Sequence, residues 1–158
     1  MKNVSGAVAT LASLVQINNR RLSQYKKVAD KAKDIEMKLL FMHYAVQAQG
    51  FMNLLNRWIM EYGGIPASEL EETNLMATWN RIKDTLTSDA QNILLNRCEA
   101  LELEALRIYK TIVALTILPS PALRDVQNQA DELSEACRIM KELQTGSVAG
   151  LQVASFQH

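Results

Sequence analysis

Two polar residues interrupt helical stripes that are otherwise apolar, and each is followed seven residues later by a tyrosine. Asn18 precedes Tyr25, and Glu102 precedes Tyr109. Seven residues are two helical turns, so each polar group shares a face with its tyrosine. A carboxylate directed into a helical bundle can hold metal ions when neighbouring helices add further carboxylates and Glu-x-x-His pairs. The adjacent inward positions on the second helix are Ala48 and Phe51, or Tyr44 and Gln47. On the fourth they are Ala130 and Leu133, or Ser134 and Cys137. None is a Glu/His pair. Two divalent ions carry four positive charges and need hard oxygen donors with imidazoles, which Glu102 alone does not supply. The expectation is no catalytic residue, no cofactor and no metal. The alternative is a residual iron or manganese site on Glu102 and Glu99, assisted by Gln24 or Gln47. The plainer role for Asn18, Tyr25, Glu102 and Tyr109 is a buried polar layer. In it Asn18, Tyr25 and Tyr109 would supply the hydrogen bonds that a carboxylate in a dry core requires.

The elements that carry these residues are read from periodicity. The first stripe is Leu11, Val15, Asn18, Leu22, Tyr25, Ala29, in steps of four and three. The second is Met37, Phe41, Tyr44, Ala48, Phe51, Leu55, Trp58, Tyr62. They are out of phase with each other, and the polar DKAKD lies between them, so a turn is predicted near residues 30–33. Asp34 would cap the next helix, with Glu36 in its first turn. Gly63-Gly64 should end that helix. After the loop IPASELEET, a shorter helix over 74–86 carries Leu75, Trp79, Ile82 and Leu86. Ser88 with Gln91 reads as a capping box for the third long helix, whose stripe is Leu95, Cys98, Glu102, Ala105, Tyr109, Ile112. The break LPSP then places Ser120 as cap and Pro121 at the first helical position. The fourth stripe is Leu123, Val126, Ala130, Leu133, Cys137, Met140. Met37, Met52, Met60 and Met140 read as core filler. The result is an all-α, antiparallel four-helix bundle over 1–144, made of two hairpins joined by a crossover with a short extra helix. Residues 145–158 form a tail, flexible or docked on the bundle or on a neighbour.

Seventeen basic residues balance seventeen acidic ones among 158, so no overall field draws the chain to nucleic acid or anionic lipid. The basic stretch from Arg20 to Lys38 reads as a solvated helix face, with a docking patch for an acidic partner as the other reading. No segment has the ~18 to 20 apolar residues that a membrane span needs. VSGAVATLASLV is diluted by Ser and Thr and runs into INNRR without a credible cleavage site. A cytoplasmic location is the expectation, with no membrane partner. Cys98 and Cys137 fall on buried stripes and behave as small hydrophobes. No glycine-rich phosphate loop, Cys-x-x-Cys or His-Glu-x-x-His occurs. His43 sits toward the flank of its stripe and His158 in the tail, so no Ser/His/Asp constellation is available.

A helical carboxylate followed seven residues later by an inward tyrosine, on the first and third helices, resembles the ferritin-like superfamily. Within it the chain is similar to small bacterial stand-alone bundles of unknown function. INNRRLSQYKKVAD, YAVQAQGFMNLL, the YGG stop, the Trp79 segment and RCEALELEALRIYKTI carry the likeness, over about residues 9–144. The resemblance implies a ferritin-like bundle. Its first-helix Glu falls on Asn18, its third-helix Glu on Glu102, and its Glu-x-x-His pairs have no counterpart. The implied di-metal site is therefore degenerate. Three functions follow: a non-catalytic bundle acting through an unknown protein partner or as a homo-oligomer, a residual metal binder or oxidase, and a carrier of a small apolar ligand near Trp58, Tyr44 or Phe51.

Overall fold

The computed structural model of the chain describes residues 4–66 and 90–145. It holds four long helices: α1 (Val4–Lys31), α2 (Ile35–Glu61), α3 (Ala90–Leu115) and α4 (Ser120–Thr145). Among the described residues there is no strand, and no helix is long and apolar enough to cross a membrane. The short helix over 74–86, the Ser88 cap and the tail lie outside the described residues.

Each boundary has a local cause. α1 runs to Lys31, into the turn expected at 30–33. Asp34 then adopts extended backbone and its carboxylate accepts from the Glu36 N–H at 2.9 Å, which starts α2. At the other end of α2, Gly63 takes φ +83. Its N–H reaches the Met60 carbonyl while the Gly64 N–H reaches that of Ile59, at 3.0 and 2.9 Å. This is the Schellman pattern, which satisfies carbonyls a helix end would otherwise orphan. A methyl group on Gly64 would meet Val8 at 2.7 Å and Ile59 at 2.9 Å, so that glycine also permits the loop to lie against α1. α4 begins one residue earlier than its sequence signal. The Pro119 carbonyl accepts from Leu123 N–H at 2.9 Å, so Ser120 is the first helical residue rather than the cap.

The stripes of α1 and α3 are buried along their expected length, as is that of α2 up to Leu55, with Trp58 and Tyr62 half-buried. α4 is turned from expectation. It buries Val126, Leu133, Cys137 and Met140 of the expected stripe together with Ala122, Gln129 and Ala136, while Leu123 and Ala130 are only partly covered. Steps of three and four can be taken in either order from Val126, and the helix takes the one that brings Gln129 inward. Met60, expected in the core, is exposed, whereas Met37, Met52 and Met140 are buried.

Side-chain pairs fix the helix directions. Asn18 and Arg21 of α1 meet Tyr109 and Glu102 of α3, so α1 and α3 are antiparallel. Gln129 reaches the Phe51 carbonyl, and the Trp58 indole N–H donates to Asp125 at 2.8 Å, so α2 and α4 are antiparallel too. α2 and α3 therefore run parallel and sit diagonally, since α1 packs on α2 and α3, and α4 on α3 and α2. The end of α2 and the start of α3 lie at opposite ends of the bundle.

Candidate functional site

The centre of the bundle holds a continuous polar network fed by all four helices. Glu102 is buried on α3, but its partner is not among the donors expected of it. Arg21, on α1, is wholly buried and grips the carboxylate through two prongs: Nε donates to one oxygen at 2.6 Å and Nη2 to the other at 2.9 Å. This planar, two-point match of guanidinium to carboxylate is the strongest form of ion-pair hydrogen bonding. Arg21 Nη1 also donates to Asn18 Oδ1 at 2.9 Å, and Nη2 to Gln47 Oε1 at 2.6 Å. The guanidinium lies 5.4 Å from the Phe51 ring centroid and 6.0 Å from that of Tyr25, so aromatic faces cover the charge.

From Asn18 the network continues across the bundle. Its amide donates to the Leu14 carbonyl at 2.8 Å and to the Tyr109 hydroxyl at 2.7 Å. Tyr109 donates in turn to Gln129 Oε1 at 2.6 Å, and Gln129 Nε2 reaches the Phe51 carbonyl at 3.3 Å. Asn18 thus uses both amide hydrogens and its oxygen, as a buried amide must. The Tyr25 hydroxyl, equally buried, stands near Glu102 without a hydrogen bond of good geometry, and its ring packs against Tyr44 at 5.4 Å and Phe41 at 6.2 Å. So the sequence-predicted layer is brought together inside the bundle with unequal roles: Asn18 and Tyr109 link two hairpins, Glu102 binds Arg21, and Tyr25 packs.

The electrostatics follow from burial and from this one pair. Burial pulls the Arg21 guanidinium down, but the Glu102 charge and hydrogen bond leave it raised above its ordinary value, hence permanently charged. Burial, then the Glu102 charge, pushes the Tyr25 phenol well up, and takes Tyr44 to about 12. Burial likewise raises Tyr109, with the Asn18 hydrogen bond and the Arg21 charge opposing it. The Cys98 thiol is pushed up by burial and by Glu102, and Cys137 to about 11 for the same two causes. Both cysteines are free and buried, and as protonated thiols they are poor nucleophiles.

Other candidates stand apart from this centre. Glu99, half-buried, accepts from Gln144 Nε2 at 2.8 Å. Glu104 is at the surface, paired with Arg20 at 3.2 Å. Gln47 serves Arg21 rather than a metal, and His43 is exposed with its ring edge toward Tyr44. Among the described residues no three His, Cys, Asp or Glu side chains converge. With both Glu102 oxygens held by a fixed cation, the donor set does not fit a pair of metal ions. Its chemistry is that of a closed electrostatic clamp.

Arg21 and Gln129 are the residues that sequence reasoning missed. Arg21 belongs to the basic stretch expected on a solvated face, yet it follows Asn18 by three and precedes Leu22, which keeps it on the inward face. A lone inward carboxylate also calls for a cation, and Arg21 is a basic residue beside the inward line, three residues after Asn18.

No curated protein and no solved structure matches the chain. One family profile does, described as a domain of unknown function (DUF2383), over residues 6–115. The matched span takes in α1, α2 and α3 with both members of the Arg21–Glu102 pair, and stops where α3 ends. The chain belongs to this family of unknown function.

Proposed function

We propose that this protein is a ferritin-like four-helix bundle that has exchanged an interior metal pair for an internal ion pair, and that it acts without catalysis, by binding protein. The observation that carries the reading is the two-point grip of Arg21 on both oxygens of Glu102. A positive charge already neutralises the one inward carboxylate, and Asn18 and Gln47 are committed to the same guanidinium. The antiparallel α1/α3 and α2/α4 pairs, with α2 parallel to α3, support the ferritin-like assignment, since two hairpins joined by one long crossover produce that arrangement. A surface role is then what remains for a molecule whose polar interior is closed.

Elemental analysis of protein purified from iron- and manganese-replete cells tests the proposal. Substoichiometric iron, manganese and zinc are expected, in wild type and in Glu102→Gln alike. One or more equivalents of metal in the wild type, lost in Glu102→Gln, would overturn it in favour of a residual metal site on Glu102 and Glu99.

A further inference from the structure

The outer face of α2 has the composition of an interface. Opposite its buried stripe, Ile35, Leu39, Met42 and Val46 follow one another at steps of four, three and four. Ile35 and Val46 are 64% and 68% exposed, and the other two are exposed as well. Gln49, Gly50 and Asn53 continue the same line, also exposed, so this face carries no charge over five turns in a protein that is 22% charged. Solvent-facing helix surfaces are ordinarily where charged residues collect.

We propose that this face is the docking surface for a second copy of the chain, packed as an antiparallel pair of α2 helices about a two-fold axis between Leu39 and Met42. The inference rests on the surface-acting role proposed above and names the surface. Three observations select this occupant. First, the stripe reads the same from either end, as a two-fold contact demands. In an antiparallel pair, Leu39 of one copy faces Met42 of the other, and Ile35 faces Val46, so all eight side chains meet apolar partners.

Second, the flanks match. Glu36 and His43 are seven residues apart and lie on one side of the stripe. In the antiparallel pair, Glu36 of one copy comes level with His43 of the other to within about 3 Å along the axis. A carboxylate and an imidazole then meet twice at the rim, where interfaces are polar. Lys38 lies on the opposite side and comes within about 7.5 Å, along the axis, of Lys38 in the other copy, a like-charge contact that the exposed rim must screen.

Third, the apolar area is that of a functional patch. The four apolar side chains present on the order of 400 Å² of apolar surface, a size often functional on a monomer. The flanking side chains of Glu36 and His43 add polar area at the rim.

Light scattering across a concentration series, with circular dichroism on the same samples, reads the outcome. Wild type is expected to approach twice the 17.7 kDa chain mass at high concentration. Val46→Glu should return it to the single-chain mass with helicity unchanged, since Val46 is exposed and carries no part of the core. For geometry, Leu39→Cys mixed with Met42→Cys should oxidise to a disulfide-linked dimer, whereas Asn53→Cys should not, because its counterpart lies beyond the start of α2. A wild type that stays at single-chain mass throughout would overturn the proposal and leave the face to residues 146–158 or to an unrelated protein. A Val46→Glu protein that still doubles its mass, or Asn53→Cys cross-linking as readily as the mixture, would also overturn it. Metal measured on the same samples separates the two readings: bound metal counts against the functional proposal whatever the mass, and the mass alone decides the interface.

Discussion

Arg21 Nε and Nη2 hold the two oxygens of Glu102 across the boundary between the two hairpins, at 2.6 and 2.9 Å, with both side chains fully buried. Removing one partner strands the other. Arg21→Met is expected to cost about 3 to 5 kcal/mol, since Glu102 is left as an uncompensated buried charge. Arg21→Met with Glu102→Leu should recover most of that loss, because well-packed apolar replacements of a buried pair are often neutral or better. Urea unfolding of the two single variants and the double variant checks this. A double variant no more stable than the worse single would show that the pair is not an isolated unit.

The two inward tyrosines should respond differently to loss of the hydroxyl. Tyr109→Phe removes a group that links Asn18 to Gln129 and leaves both amides short of a partner, for a cost of about 1 to 3 kcal/mol. Tyr25→Phe removes a hydroxyl that makes no hydrogen bond of good geometry and should be neutral or stabilising. Thermal or urea unfolding of the two variants side by side makes the comparison; equal destabilisation would contradict the bonding described here.

Alkaline pH should unfold the protein. The folded-state pKa values of Tyr25, Tyr44 and Tyr109 all stand above the ordinary phenol value of 10.0, with Tyr44 at about 12. Above pH 10 the unfolded chain releases these protons while the folded chain retains them, so the unfolded state binds fewer protons and stability falls as pH rises. The contribution is intact below pH 10 and is lost progressively toward pH 12 and above. Tyrosinate absorbance and helical circular dichroism should therefore change together in one transition; tyrosinate appearing at pH 10 with full helicity would refute it.

Two glycines, one inside α2 and one just past its end, should part company on replacement by alanine. Gly50→Ala adds a methyl group with nothing within 4 Å, inside a helix, and should stabilise by about 0.5 to 1 kcal/mol. Gly64→Ala drives a Cβ into Val8 and Ile59 and should destabilise, as measured by thermal unfolding. A neutral Gly64→Ala would mean that the loop does not lie on α1.

Much of this architecture could be read from the residue pattern. The stripes of α1, α2 and α3, the Asp34 cap and the Gly63-Gly64 stop are short-range signals, each a matter of side-chain period or of one backbone conformation. Glu102 and Asn18 were visible as interruptions of those stripes. The partner of Glu102 was not, because Arg21 lies 81 residues away in sequence and opens, with Arg20, a basic stretch of the kind a helix normally turns to solvent. Gln129 was hidden for a different reason. From Val126, steps of three and of four both lead to Leu133, and polarity favours Ala130 until Tyr109 is known to stand opposite Gln129.

The placement of Arg21 and Glu102 on separate hairpins also bears on how the molecule is made. Domains take shape from the N-terminal side as the chain leaves the ribosome. For as long as only α1 and α2 have emerged, their greasy inner side displays a bare guanidinium. That charge gains its matching carboxylate only once α3 has been made. The ion pair is thus completed only when the two hairpins come together.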